Sequence, residues 1–268
     1  MTDKFFDKKY VEYWKQRVGN TLDGTKIPDK KVIDFFLSKL DIKKEEIVLD
    51  LGCGFGRLHP FLRKFTNNIV GIDVNNESLE EAKKYRYREL LKGTAEKTGF
   101  RSDYFDGVVS WEVYDVVEQK ESLIEENRIM KKGGVFLVTG KNNNYHKDDK
   151  LAFIAERNAK LKDFPNHFTD VNKIIKKSKK FGFEIIRAYG FEKRGDFGGL
   201  IFFDILESKK KKFYQFMLFL KKIGEPEKDL PEICYEYSNT AKEKAKENNF
   251  SNVIDFFKWH KEKYEENI

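Results

Sequence analysis

An α/β fold with a doubly wound, mostly parallel sheet is the class this sequence predicts, and three stretches predict it. Residues 47–51, IVLDL, are branched and apolar except for Asp50, the pattern of a buried parallel strand with one polar residue near its carboxyl tip. Gly52, Gly54 and Gly56 follow at alternate positions, and Leu58, Phe61, Leu62 and Phe65 then recur at helical spacing. A second short run, NIVGID at 68–73, again ends in an acid, and a third, YFDGVVS at 104–110, precedes a helical segment and the apolar run 135–139. Strand, glycine turn and helix make a nucleotide-binding crossover, with the ligand at the carboxyl end of the strand against the helix N-terminus.

The glycine spacing separates the nucleotides. The dinucleotide fingerprint G-x-G-x-x-G needs a glycine where Arg57 stands, and the Gly-Lys-Ser/Thr ending of a phosphate loop is absent. What remains is acid-x-G-x-G-x-G, which closely resembles motif I of the class I S-adenosylmethionine-dependent methyltransferases. In that family the loop wraps the methionine end of the cofactor, and the acid at the strand tip helps to hold its ammonium, directly or through water. The resemblance implies a cofactor set of Asp50, Gly52, Cys53, Gly54 and Gly56. Asp73 stands 21 positions after Gly52, near the offset at which an acid reads ribose hydroxyls. Its alternative role is a turn cap before the Asn-Asn-Glu-Ser helix start; Val74 follows it in the cofactor set. The implied fold is the family's Rossmann-like seven-stranded methyltransferase sheet, order 3-2-1-4-5-7-6, with only the last-added strand antiparallel. It is expected to span residues 1–207, with an N-terminal helical cap segment at 1–27 and a C-terminal helical extension at 208–268.

Ahead of the core, residues 5–18 read as an amphipathic helix with Tyr10, Tyr13, Trp14 and Arg17 at helical spacing. Many family members carry a similar Trp-x-x-Arg segment that closes over the cofactor. The resemblance places Trp14 on the cofactor's apolar surface and Arg17 at its carboxylate; an aromatic stripe packed on the sheet is the structural alternative. Pro28 opens a helix to Leu40, with Val32, Phe35, Phe36 and Leu40 inward. After Asp73 come a helix at 77–88, a short strand at 87–91, and Gly93-Thr94-Ala95-Glu96. The family often has Gly-Asp-Ala-Glu here, against the adenine. Thr94 replaces the acid, leaving backbone contacts from Ala95, and Glu96 either serves the adenine or caps a turn.

Residues 104–110 resemble the family's F-D-x-V-x-S stretch. The following Ser110-Trp111-Glu112-Val113-Tyr114 is then expected beside the transferring methyl, with Trp111 and Tyr114 as apolar and cation–π walls for the sulfonium. Glu112 is a base or a salt-bridge partner. A helix through Met130, a K-K-G-G turn and the strand 135–139 lead to the polar loop 140–149, where Asn142, Tyr145 and His146 are substrate-site candidates. Thr169 is expected to cap a helix that Gly182 ends. His167 precedes that helix, near where several family members bring a histidine toward the acceptor. The general-base candidates are therefore His167, His146 and Glu112, in that order, because a hydroxyl acceptor must lose a proton; His167 also reads as a helix cap or a packing partner of Phe168. Strands at 184–191 and 200–206 are expected to pair as a hairpin. Residues 211–222, apolar nearly all round, read as a helix buried against the core or a second subunit rather than lying on a membrane. Two more helices, 230–248 and 250–266, follow, with Trp259 and His260 as structural residues.

Composition bounds the partners. The 268 residues include 25 Phe and are 40% hydrophobic, enough for a sizeable core. The net charge of +7 is spread among 52 Lys and Arg and 45 acids, so a solvated surface outweighs a nucleic-acid patch. Cys53 and Cys234 make no disulfide framework, and a reduced Cys53 fits a cytoplasmic protein. No signal peptide or membrane-spanning run is read, and the four histidines lack metal-ligand spacing. The resemblance thus implies transfer of a methyl group from S-adenosyl-L-methionine, leaving S-adenosyl-L-homocysteine, to a small-molecule acceptor, most readily an oxygen of a sugar- or phosphate-type metabolite. A nucleic-acid or protein methyltransferase is one alternative. A non-catalytic cofactor-binding partner subunit is the other, since binding motifs do not certify chemistry. The C-terminal extension is expected to cover the cleft or to form a homodimer contact.

Overall fold

The structure, a computed structural model, describes residues 30–265. The cap segment expected at 1–27, with Trp14 and Arg17, lies outside the described residues. Five strands make the parallel half of the sheet: β1 (Ile47–Leu51), β2 (Asn68–Asp73), β3 (Glu89–Lys92), β4 (Phe105–Ser110) and β5 (Met130–Lys141). β1 lies between β2 and β4, β3 flanks β2 and β5 flanks β4, and every one of these pairings is parallel. The order reverses beside β1, and that switch point opens a crevice at the carboxyl edge.

The other half closes differently from the sequence expectation. β7 (Phe183–Phe191) pairs antiparallel with β9 (Gln215–Lys222), and β9 pairs antiparallel with β5. A two-residue edge strand, β8 (Phe203–Asp204), completes the order β3-β2-β1-β4-β5-β9-β7-β8. This is the expected 3-2-1-4-5-7-6 arrangement with one short strand added at the edge. The seventh strand, however, comes from residues read as a helix in the C-terminal extension. QFMLFLKK is buried at six of its eight positions, because both faces of β9 are covered. A strand buried on both sides shows no alternation, and Phe, Met and Leu suit a helix as well, so periodicity cannot separate the two. The open edges of β5 and β7 decide it. The sheet therefore reaches Lys222, past the boundary expected at 207, and only Phe203 and Asp204 of the strand expected at 200–206 pair with β7.

Side chains alternate between two apolar layers. Leu49, Leu51 and Val108 face Val171, Ile174 and Phe181 on one side. Val48 and Val109 face Val32, Ile33, Phe36, Leu58, Phe61 and Leu62 on the other, from α1 (Lys30–Leu37) and α2 (His59–Leu62). α3 (Asn76–Ala82) and α4 (Gln119–Ile129) complete the crossovers, and α6 (Val171–Lys177) precedes β7. Asp170, not Thr169, caps α6, its carboxylate accepting from the Lys173 N–H at 3.0 Å, while Thr169 gives its hydroxyl to Gln119. Gly182 ends the turn after α6 with φ +75°, and a β-carbon there would meet the Gly224 carbonyl at 2.2 Å.

A third cluster, from Tyr145, Phe153, Phe168, Tyr214, Ala241, Ala245, Phe256 and Phe257, joins α5 (Lys150–Leu161), α7 (Asn239–Glu247) and α8 (Val253–Glu265) to the loops at the carboxyl edge. A short ladder of β6 (Phe168–Thr169) with β10 (Cys234–Tyr235) ties the tail down there. The helix expected at 230–248 is confined to α7, whose N-cap is Ser238.

Because β9 is fixed on both sides and both faces, Leu218→Ala should cost about 2–5 kcal/mol in urea denaturation. Leu206→Ala, at a side chain that is 47% exposed, should stay within about 0.5 kcal/mol. A small loss at Leu218 would contradict the strand's place in the sheet.

Candidate active site

The glycine turn carries few side chains of its own, so neighbouring strands hold it. The Gly52 and Cys53 N–H groups both donate to the Ile72 carbonyl at 2.9 Å. The Gly54 N–H donates to Asp73 Oδ2 at 2.9 Å, and the Asn75 N–H to Asp73 Oδ1 at 2.9 Å. Asp73 thus bridges the turn and the start of α3, while Asn75 caps that helix through Ser78. Burial raises the Asp73 carboxyl above its ordinary range, against the lowering from these amides. Gly54, at φ +51°, has open space where a β-carbon would point, so a ligand can meet the backbone there.

Asp50 does not face that opening. It points to the α1/α2 side of the sheet, is 1% exposed, and accepts the Tyr87 hydroxyl at 2.7 Å. Burial pushes its carboxyl up to about 7; Tyr87 and then Arg57 pull it down, and Asp73 adds to the rise. His59 packs at 4.5 Å between ring centres on Tyr87, which settles it as a packing residue. Its pKa is lowered, chiefly by burial. Cys53 is likewise buried.

At the tip of β4 the backbone turns through Glu112 at φ +58°, whose N–H donates to Thr139 Oγ1 at 2.7 Å. Its carboxylate meets Arg57 at 2.7 Å, so the salt-bridge expectation describes it better than the free-base one. Ser110 is buried with no partner for its Oγ. Trp111, expected as a wall of the sulfonium site, is 4% exposed and packs on Phe197 at 5.5 Å among the apolar residues beneath. Tyr114 is also corrected: its ring is buried in the core and its hydroxyl donates to the Gln119 carbonyl at 2.9 Å. Val74 is half-buried beside Asp73; Ala95 packs into the core, and the Glu96 carboxylate accepts the Glu118 N–H just ahead of α4.

Two of the three substrate-loop candidates turn inward. Tyr145 is buried, with its hydroxyl on Glu156 at 2.7 Å, and Asn142 is buried with its amide on the Asn144 and Phe213 carbonyls. Tyr145 is the loop's anchor in the third apolar cluster, and Asn142 ties the loop's start to the segment just before β9 through the Phe213 carbonyl. His146 stays half-exposed, with Nε2 at 3.5 Å from Glu192. His167 is half-buried; its N–H donates to the Asp115 carbonyl at 2.7 Å, and its Nδ1 lies 3.1 Å from the Val117 carbonyl. A carbonyl only accepts, so Nδ1 carries the hydrogen and Nε2 is the basic nitrogen of the neutral ring.

Beside His167 lies a cluster that the sequence reading missed. Lys141, at the end of β5, is paired with Asp115 and also donates to Asn166 Oδ1. Burial alone would lower its pKa, but Asp115 and Tyr214 raise it overall. Arg194 donates to the Tyr214 hydroxyl at 2.7 Å. Along the carboxyl edge, a polar rim is thus made of two groups: Glu112 with Thr139 beside the glycine turn, and Lys141, Asp115 and His167 beyond them. Lys141 immediately precedes Asn142, and its place at a strand's end was the available signal. Among the described residues, no group of three or more His, Cys, Asp or Glu is placed to hold a metal ion.

The buried Asp50 carboxyl has a consequence for stability. The folded protein keeps a proton there that the unfolded chain loses above its ordinary value of 3.8, so the folded state binds more protons between that value and about 7. From this group, stability falls as pH rises through the window, by up to ~1.4 kcal/mol per unit, and levels off above it. Asp50→Asn should remove this slope. Urea midpoints at several pH values between about 4 and 8 should show the variant gaining on the parent as pH rises. A constant difference would refute the assignment.

Residues 49–138 match the family described as a methyltransferase domain. The chain is 27% identical over 176 residues to a sterol 24-C-methyltransferase of Aspergillus fumigatus, covering 60% of this chain and 46% of that one. It is 30% identical over 151 residues to a ubiquinone/menaquinone biosynthesis C-methyltransferase of Campylobacter jejuni, covering 52% and 61%. The chain spans about half the length of the curated relatives it matches. Among solved structures, a Thermotoga maritima S-adenosylmethionine-dependent methyltransferase, described as a possible histamine N-methyltransferase, superposes with a TM-score of 0.56 at 20% identity, covering 79% of this chain and 99% of that one. Glycine motif, strand order and the match of residues 49–138 to a methyltransferase domain all agree with a class I, Rossmann-like methyltransferase fold.

Proposed function

We propose that this protein binds S-adenosylmethionine and transfers its methyl group to a small-molecule acceptor. The observation that carries this reading is the glycine turn braced by Asp73, with open space over Gly54 and the orphaned Ser110 hydroxyl at the neighbouring strand tip. These residues fit the cofactor: amides and glycines without side-chain cover suit its methionine end, and Asp73 suits the ribose hydroxyls. Asp50 lies beneath the turn, where a cationic ammonium above it would draw its raised carboxyl toward the charged form. The cofactor supplies a methyl group already activated on a sulfonium.

The chain's own task is then alignment, exclusion of water and removal of a proton. Orientation alone can supply roughly 7–11 kcal/mol of such a barrier. His167 is the preferred base because its Nδ1 is committed to a carbonyl and its Nε2 is left for the acceptor. The Asp115–Lys141 pair fixes the floor beside it, and Arg194 with Tyr214 extends the rim to where an anionic part of the acceptor is held. His146 is the second candidate and Glu112, engaged by Arg57, the third. A sugar- or phosphate-type hydroxyl acceptor suits this rim. A carbon acceptor is the second reading, favoured by relatives named as C-methyltransferases of sterols and quinones. Both acceptors leave a proton to be taken up. Incubation with labelled cofactor and acceptor pools, followed by product analysis, distinguishes an O-methyl from a C-methyl product; no labelled product with any pool would favour a non-catalytic binding subunit.

Asp73→Ala should weaken S-adenosylmethionine binding by about 1–3 kcal/mol in calorimetry, and unchanged affinity would remove the ribose assignment. His167→Gln should lower turnover by about 10²–10⁴ with cofactor affinity nearly intact. If His167→Gln is near normal and His146→Gln is not, the role moves to His146. Near-normal turnover in both would mean that no histidine acts as the base.

A further inference from the structure

The connection from β7 to β9, residues 192–214, turns apolar side chains outward. Ile201 is 63% exposed, Leu206 47% and Phe202 37%. Phe35 of α1, itself 37% exposed, lies with its ring 5.6 Å from that of Phe202 and continues the patch. An open groove of about 180 Å³ is lined by Ile201, Phe202 and Phe203, with Glu192, Lys193, Asp196 and Lys210 around them. Directly after this apolar stretch come four successive lysines, residues 209–212. Lys210 pairs with Glu192 and lies 5.2 Å over the Phe203 ring. Lys209 and Lys211 are exposed, Lys212 is half-buried, and none of these three has an ion pair among the described residues. Four acids, Glu192, Asp196, Asp204 and Glu207, stand against six cations in residues 192–214, so the connection keeps a net positive charge.

A second lysine cluster shows what lysines do without such a patch. Lys176, Lys177 and Lys179 are also exposed, but the apolar residues beside them, Val171, Ile174 and Phe181, are buried. There the charges form a solvated face. At 199–212 exposed aliphatic and aromatic groups adjoin unpaired cations, the combination that suits an interface between water and anionic head groups. A second copy of this chain fits less well than an anionic surface, because a twofold contact through this patch would bring two net-positive connections together. No helix among the described residues is long and apolar enough to cross a membrane, so contact would be with the surface.

We propose that the 199–212 excursion docks the protein on an anionic lipid surface. Ile201, Phe202 and Leu206 enter the head-group boundary and Lys209, Lys211 and Lys212 lie over the anions. Arg194 and Tyr214 stand at the two ends of the same connection, so docking brings the polar rim up to that surface. The inference does not depend on the identity of the acceptor.

The test is co-sedimentation of the full chain with vesicles of phosphatidylcholine alone or with about a third phosphatidylglycerol. Partitioning to the anionic vesicles should be at least about tenfold stronger and should weaken with salt. Ile201→Ser with Leu206→Ser should reduce it about fivefold or more with no change of charge. Lys209→Gln with Lys211→Gln and Lys212→Gln should do the same. Lys176→Gln with Lys177→Gln and Lys179→Gln, which removes equal charge, should leave it within about twofold. All positions are exposed or half-exposed, and unchanged melting temperatures check that the variants fold. Absence of binding, or equal losses in the two lysine triples, would overturn the proposal. So would a concentration-dependent dimer in light scattering that the Ile201→Ser, Leu206→Ser protein no longer forms, because the patch would then serve a second copy.

Discussion

A turn with almost no side chains cannot be fixed by packing, and the architecture around β1 answers that constraint. The amides of Gly52, Cys53 and Gly54 are tied to the last two residues of β2, two through the Ile72 carbonyl and one through the Asp73 carboxylate. The register of β1 against β2 therefore sets the shape of the turn, and a slip of one residue would move Asp73 to the other face of the sheet. The ligand-facing geometry is thus a by-product of strand pairing. The apolar layers on both faces, which fix that pairing, act on the site at one remove.

The polar rim at the carboxyl edge is built on a different principle. Lys141, Asp115 and Asn166, and separately Glu156, Tyr145 and Ser238, are drawn into low-dielectric surroundings in mutual contact, so each charge or hydroxyl answers another of its group. The C-terminal helices supply the cover that makes this burial possible. Their buried partners lie on the loops after β5 and before β9. The tail is in this sense part of the packing at the carboxyl edge, although it contributes no strand to the large sheet after Lys222.

The parallel half was legible because its signals are local. An acid at a strand tip, glycines at alternate positions and a second acid at a fixed offset specify Gly52 to Asp73 with little help from elsewhere. Residues 215–222 were not legible, because a strand covered on both faces leaves no period and its place depends on the edges of β5 and β7. Tyr114, Tyr145 and Asn142 were misjudged for a related reason: a polar-looking loop hides which of its members anchor it to the core. Asp115, Lys141 and Arg194 carry no motif at all. They come together only when the ends of β4, β5 and β7 meet.

The order in which the chain is threaded has a kinetic consequence. β5 and β7 are made first but touch only through β9, which follows some two dozen residues after β7. Until that segment arrives, a nascent chain carries two unsatisfied strand edges flanked by apolar surface, the state most open to pairing with another molecule. Closure of the sheet is then an insertion between strands already present, a non-local step of the kind that slows folding. On a ribosome, residues 215–222 would have to clear the exit tunnel before the sheet could close, and cells that translate this chain slowly would hold it longer in need of a chaperone.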